Sequence, residues 1–236
     1  MSTAFAIFFT LYLLYALWDN ALRRADDPAP RTLSSFSAAL QAPLFLTTAW
    51  LAARAGVFDR ELVFLPAILL ALVVGHLLFA LSLIATDRQP REALRMLGRV
   101  PAILAYLRDD PATLTRVFAV SFSEEVIYRA AAQPWLIERT GSPALGIGLA
   151  AAAFCVVHAH FFRNPWPQSA EFAAFALLLG ALYFYTGSLI AVAVIHAVRN
   201  WEIAYLEHVL AQQEDAPAPA AGSQNPESTA KLSYEQ

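Results

Sequence analysis

The sequence has a single cysteine, Cys155, so no disulfide can form within one chain, and its apolar neighbours Phe154 and Val156 mark it as a packed thiol. Lysine is nearly missing: Lys231 is the sole lysine, and every other basic residue is arginine. That bias hints at a GC-rich bacterial genome. Charge is scarce as well, at 15% of residues, where a soluble domain carries about a quarter. A net charge of −3 provides no basic field for nucleic acid, so no nucleic-acid partner is expected. No basic residue precedes the first apolar run, as a cleaved secretory signal would require. Residues 2–18 therefore read as a retained first span. No C-terminal Cys box is present, so no prenylation of this chain is expected.

Apolar surface is what the chain has in excess. Hydrophobic residues make up 58%, with a mean hydropathy of +0.49, against roughly 45–50% in soluble proteins. One soluble core cannot absorb that surplus, and lipid can. A span needs about 20 mostly apolar residues. Segments 2–18, 36–53, 62–85, 112–137, 143–162, 170–186 and 188–209 meet or approach this. Between them, Arg91, Arg95 and Arg99 recur at every fourth position among leucines, which predicts an amphipathic surface helix over 88–110, re-aimed at Pro101. The expected fold is all-α: a polytopic transmembrane helix bundle of about seven spans plus that surface helix. Residues 1–210 form one transmembrane domain, with its motif-bearing core at about 115–205, and 211–236 form a disordered polar tail. The Ala/Gly-rich 143–162 segment has the small residues that let helices approach closely.

Arginine placement orients the chain. Arg23, Arg24, Arg31, the cluster from Arg88 to Arg108, and Arg163 fall on one side; Arg54, Arg60 and Arg139 fall on the other. The positive-inside rule then places the N-terminus outside and the C-terminus inside.

An ionisable residue at the centre of a membrane helix costs about 2.5–3.5 kcal/mol on insertion scales, so each is a functional candidate. Three expected spans carry them: Glu124, Glu125 and Arg129; His158 and His160; His196, Arg199 and Asn200. Counting from the span ends at 1.5 Å per residue brings all three groups to the cytoplasmic half of the bilayer. Glu125 and Arg129, four apart, can pair along one face, and Glu124 points elsewhere. On a continuous helix His158 and His160 face different directions, so only one would enter a site. Glu124 with a neutral histidine around a water makes a general base, and a second histidine with an Asn amide supplies oxyanion donors.

Three motifs lie in order on these helices. Glu124-Glu125-Val126-Ile127-Tyr128-Arg129 has the pattern EExxxR, Phe154 to His158 the pattern FxxxH, and His196 to Asn200 the pattern HxxxN. Together they resemble the CAAX protease and bacteriocin-processing family of glutamic intramembrane proteases. The resemblance covers roughly 115–205. It implies an endopeptidase that hydrolyses peptide bonds of membrane-associated proteins with no Ser or Cys nucleophile and no cofactor. Glu124 and His158 would activate water, His196 and Asn200 would stabilise the tetrahedral intermediate, and Glu125 and Arg129 would support the site. Some bacterial members are similar to enzymes that process C-terminal sorting signals (the myxosortase type), others to processors of bacteriocin leaders. The expected partners are a membrane-anchored protein or peptide substrate and the lipid bilayer, at a bacterial cytoplasmic (inner) membrane.

Two other readings stand beside this one. Glu124, His158 and His196 are an acceptable catalytic zinc set, although no HExxH is present and Asn200 has no role in it. The same polar groups could also serve a non-enzymatic immunity or transport protein as a packing network or proton relay.

Overall fold

A computed structural model describes residues 3–22, 31–54, 56–57, 65–87 and 90–214. Arg23, Arg24, Arg60 and Arg88, which entered the orientation argument, lie outside the described residues, as does the tail from 215 onward. The elements in chain order are α1 (Thr3–Leu22), α2 (Arg31–Arg54), α3 (Leu65–Asp87), α4 (Pro90–Leu97), α5 (Val100–Asp109) and α6 (Pro111–Glu125). A π-helical segment (Val126–Ala132) follows, then α7 (Gln133–Thr140), α8 (Pro143–Val156), α9 (Ala159–Arg163), α10 (Trp166–Thr186) and α11 (Leu189–Glu214). The described residues contain no strand, and the protein is an all-α polytopic membrane bundle.

Four of these helices are long and apolar enough to cross a membrane, over Thr3–Asn20, Leu65–Thr86, Trp166–Thr186 and Leu189–Gln213. The other three expected spans are present as helices of different character. Helix α2 contains Pro43 in its interior, α8 is a short apolar helix of 14 residues, and the α6–π–α7 run carries the Glu124, Glu125 and Arg129 charges. Helix α11 continues to Glu214, past the expected end at 210.

The expected surface helix is two helices. Helix α4 buries Ala93 and Met96 against Phe79, Ala80 and Leu83 of α3, while Arg91 and Leu94 stay exposed on its other face. The chain turns at Gly98 and Arg99, and Pro101 sits in the first turn of α5, where its missing N–H costs nothing. Asp110 then caps α6, accepting hydrogen bonds from the Thr113 hydroxyl at 2.6 Å and the Thr113 N–H at 3.0 Å. Those two bonds hold its carboxyl below the ordinary 3.8, with the hydroxyl the larger cause.

The π-helical segment follows from a proline. Pro134 lies in the first turn of α7, and in a regular α-helix its ring would clash with the carbonyl four residues back. The wider turn relieves this, and the Gln133 N–H bonds to the carbonyl of Tyr128, five residues back. All seven π residues are buried. Helices α1 and α2 cover this segment, with Phe5, Phe9 and Leu44 packed on Tyr128, Ala131 and Phe154. On the opposite side, α3 crosses α11 where a Cβ at Gly75 would meet Val198 Cβ at 2.8 Å. Helix α7 approaches α8 at Gly146, where a Cβ would meet the Ile137 side chain at 2.4 Å, as the small-residue composition of 143–162 led us to expect.

Candidate active site

Glu124 and Glu125 are the last residues of α6, at the junction with the π-helical segment. The Glu125 carboxylate is fully buried and held from two sides. Arg129, itself fully buried, forms an ion pair with it through Nε at 3.1 Å, and His196 donates from Nδ1 to its Oε1 at 2.8 Å. Arg129 Nη2 also donates to the Ala176 carbonyl of α10 at 3.3 Å. The ion pair is the one the four-residue spacing predicts. The bond to His196 is not visible in the spacing, because it depends on how α11 packs beside α6.

Glu124 turns the other way. Its Oε1 lies 3.5 Å from His158 Nε2 and its Oε2 lies 3.6 Å from His196 Nε2. Both imidazoles are fixed from behind. His158 donates from Nδ1 to the Phe154 carbonyl at 2.7 Å, and a carbonyl can only accept, so Nε2 is the free acceptor of the neutral ring. His196 is fixed in the same sense by Glu125. The separations to Glu124 exceed the usual 2.7–3.2 Å of a hydrogen bond, which suits groups that share a third species between them.

His158 reaches this position by leaving the helix. Helix α8 ends at Val156, and His158 is extended, at φ −95° and ψ 110°. No Gly or Pro stands at 157 or 158 to signal the break. Instead two carbonyls at the end of α8 find side-chain partners: Val156 accepts from Asn20 Nδ2 of α1 at 2.9 Å, and Phe154 accepts from His158. The continuous span expected over 143–162 is therefore corrected. So is the argument that His158 and His160 must point apart: their rings are 5.3 Å apart, and both pack on Phe172. Of these two neighbouring histidines, His158 is the one within ion-pair distance of the Glu124 carboxylate.

The Phe of FxxxH has a definite place. Phe154 is completely buried among the rings of Tyr128 (5.1 Å), His158 (4.5 Å), Phe172 (5.4 Å) and His196 (5.8 Å), with the Arg129 guanidinium 5.3 Å from its centroid. It is the apolar post around which both imidazoles and the arginine are set. Asn200 donates from Nδ2 to Ser121 Oγ at 3.1 Å, which ties it to α6 one turn before the carboxylates. Ser121 and Glu171 were not singled out in the sequence. Glu171 pairs with Arg199 at 2.8 Å, and Arg199 lies over the rings of Phe172 and Phe175. An acidic residue in an expected apolar span was the signal for Glu171.

Glu124 and His158 line an open cavity of about 480 Å³ whose other wall comes from α1 and α2. Among the described residues, no group of three or more His, Cys, Asp or Glu side chains is arranged to hold a metal ion. Cys155 is buried.

Residues 111–201 match the family model described as type II CAAX prenyl endopeptidase Rce1-like. The match spans α6 through the HxxxN motif of α11, and it is to the family that the three motifs resemble. No curated protein and no solved structure matches the chain.

Proposed function

With residues 111–201 matching the type II CAAX prenyl endopeptidases as the premise, we propose that this integral membrane protein is an intramembrane endopeptidase of the glutamic type, cutting membrane-associated proteins with water activated by Glu124 and His158. One observation carries the reading: a carboxylate faces two imidazole Nε2 atoms at 3.5 and 3.6 Å, and each ring is locked through its Nδ1. A water that donates one hydrogen to Glu124 and the other to His158 Nε2 would be held with both lone pairs free. As its oxygen bonds to the scissile carbonyl carbon, its proton passes to Glu124. The C–N bond then breaks, and Glu124 returns that proton to the leaving amine. His196, when Nε2 carries a proton, and the Asn200 amide are donors for the oxyanion. Glu125 and Arg129 hold His196 in place and touch no substrate.

The substrates are membrane-anchored proteins or peptides cut at a C-terminal sorting signal or a leader, in a bacterial inner membrane, with the site reached from the cytoplasmic half. Mapping protein termini in membrane fractions by mass spectrometry tests this. Cells expressing the wild type should show trimmed membrane proteins whose uncut forms accumulate with Glu124→Ala. Identical termini in the two strains would transfer the site to the immunity or transport reading.

A further inference from the structure

The cavity beside Glu124 is built by two regions of the chain. Ser123, Glu124, Tyr128 and His158 come from within residues 111–201, but Tyr12, Gln41 and Phe45 come from α1 and α2, outside that match. Any peptide entering it brings main-chain N–H and C=O groups, and in a lipid environment the protein must satisfy them. The polar groups able to do so are few. Gln41 Nε2 donates to the Tyr12 hydroxyl at 2.6 Å, which leaves the Tyr12 O–H and the Gln41 carbonyl for other partners. Tyr128 is only 2% exposed, yet among the described residues its hydroxyl has no hydrogen-bond partner. A buried, unpartnered hydroxyl is costly in a folded protein and calls for an explanation. Tyr128 itself is one of the residues that line the cavity, within one helical turn of Glu124.

We propose that the Tyr128 hydroxyl and the Tyr12–Gln41 pair form a polar strip that binds the main chain of an extended, uncharged substrate segment alongside Glu124. The α1–α2 pair is then a specificity element. Ala42, Phe45 and Ile127 give the cavity an apolar wall for a side chain. Among the described residues no Lys or Arg lines it, and Glu124 repels anions, so an acidic substrate segment is disfavoured. The inference rests on the endopeptidase reading.

The experiment uses the full chain in phosphatidylcholine vesicles and a set of internally quenched peptides, some uncharged and some with Asp or Glu at their centre. The variants are Tyr128→Phe, Tyr12→Phe and Gln41→Ala, with Glu124→Ala as the inactive control. Removing one neutral hydrogen bond should raise KM about three- to tenfold with kcat little changed. Melting of Tyr128→Phe should not fall, because its hydroxyl has no partner to lose. Uncharged peptides should be cut in preference to acidic ones. Unaltered KM in both Tyr128→Phe and Gln41→Ala, with wild type active, would overturn the strip and leave the endopeptidase reading standing. Wild type that cuts no peptide better than Glu124→Ala would overturn both.

Discussion

Helices α1 to α5 and the stretch from α6 onward bury different kinds of side chain. Among the described residues, the buried polar or charged groups are Thr48, Thr113, Ser121, Glu125, Arg129, Gln133, His196 and Glu202, and only Thr48 belongs to the first five helices. Those helices bury Phe, Leu, Ala, Tyr and Met and expose a leucine-rich face on α3, as a lipid-facing scaffold should. Burying ionised groups is costly unless each is paired. The second region offsets that cost by pairing: Arg129 with Glu125, Glu125 with His196, Arg199 with Glu171, and Glu202 with His76 of α3. The contrast sets the proposed site in the second region, and the first region still contributes to its surroundings. Asn20 caps α8 behind His158, and α1 and α2 wall the cavity.

The largest expected effect separates the two neighbouring histidines. His158→Ala should abolish cleavage, and His160→Ala should keep most of it, since His160 packs against His158 and Phe172 without facing Glu124. A dead His160 variant beside an active His158 variant, in the same vesicle assay, would reverse the assignment. Next comes Asn200→Ala, which removes one oxyanion donor and should lower kcat by about 10²–10³ with residual cleavage still measurable. Ser121→Ala, which frees the Asn200 amide to rotate, should cost less.

Glu125→Gln acts on stability before chemistry. It leaves the Arg129 guanidinium buried without its carboxylate, and breaking such a pair costs about 3–5 kcal/mol, so the yield of folded protein in detergent should fall sharply. Glu124→Gln, at a partly exposed residue, should fold normally. His76→Ala is the smallest effect on activity and the sharpest test of the comparison. His76 on α3 is hydrogen-bonded to the buried Glu202 of α11. With Glu202 as its partner, its removal should lower the melting temperature and leave KM and kcat near wild type.

The sequence made the pairing of Glu125 with Arg129 legible, because four-residue spacing survives the change from α-helix to π-helix. It also made legible that three helices would bring Glu124, His158 and His196 together, because ionisable groups in apolar helices need one another. The break at His158 was hidden, since it depends on Asn20 and on a ring nitrogen reaching back to the Phe154 carbonyl, neither of which periodicity records. The π-helical turn was hidden too, although Pro134 inside an apparent span was a cue. Glu202 and Glu171 could have been found by the same argument applied to Glu124: each is an acid in an apolar helix, and each has a cation or imidazole partner.

The central claim is that Glu124 and His158 act on one water as a single unit. Initial rates of peptide cleavage by the purified full chain, for Glu124→Ala, His158→Ala and the double variant, test it most directly. Groups that act together lose nearly everything with the first substitution, so the double variant should be no slower than either single one. Full activity in Glu124→Ala, or losses that multiply in the double variant, would contradict it.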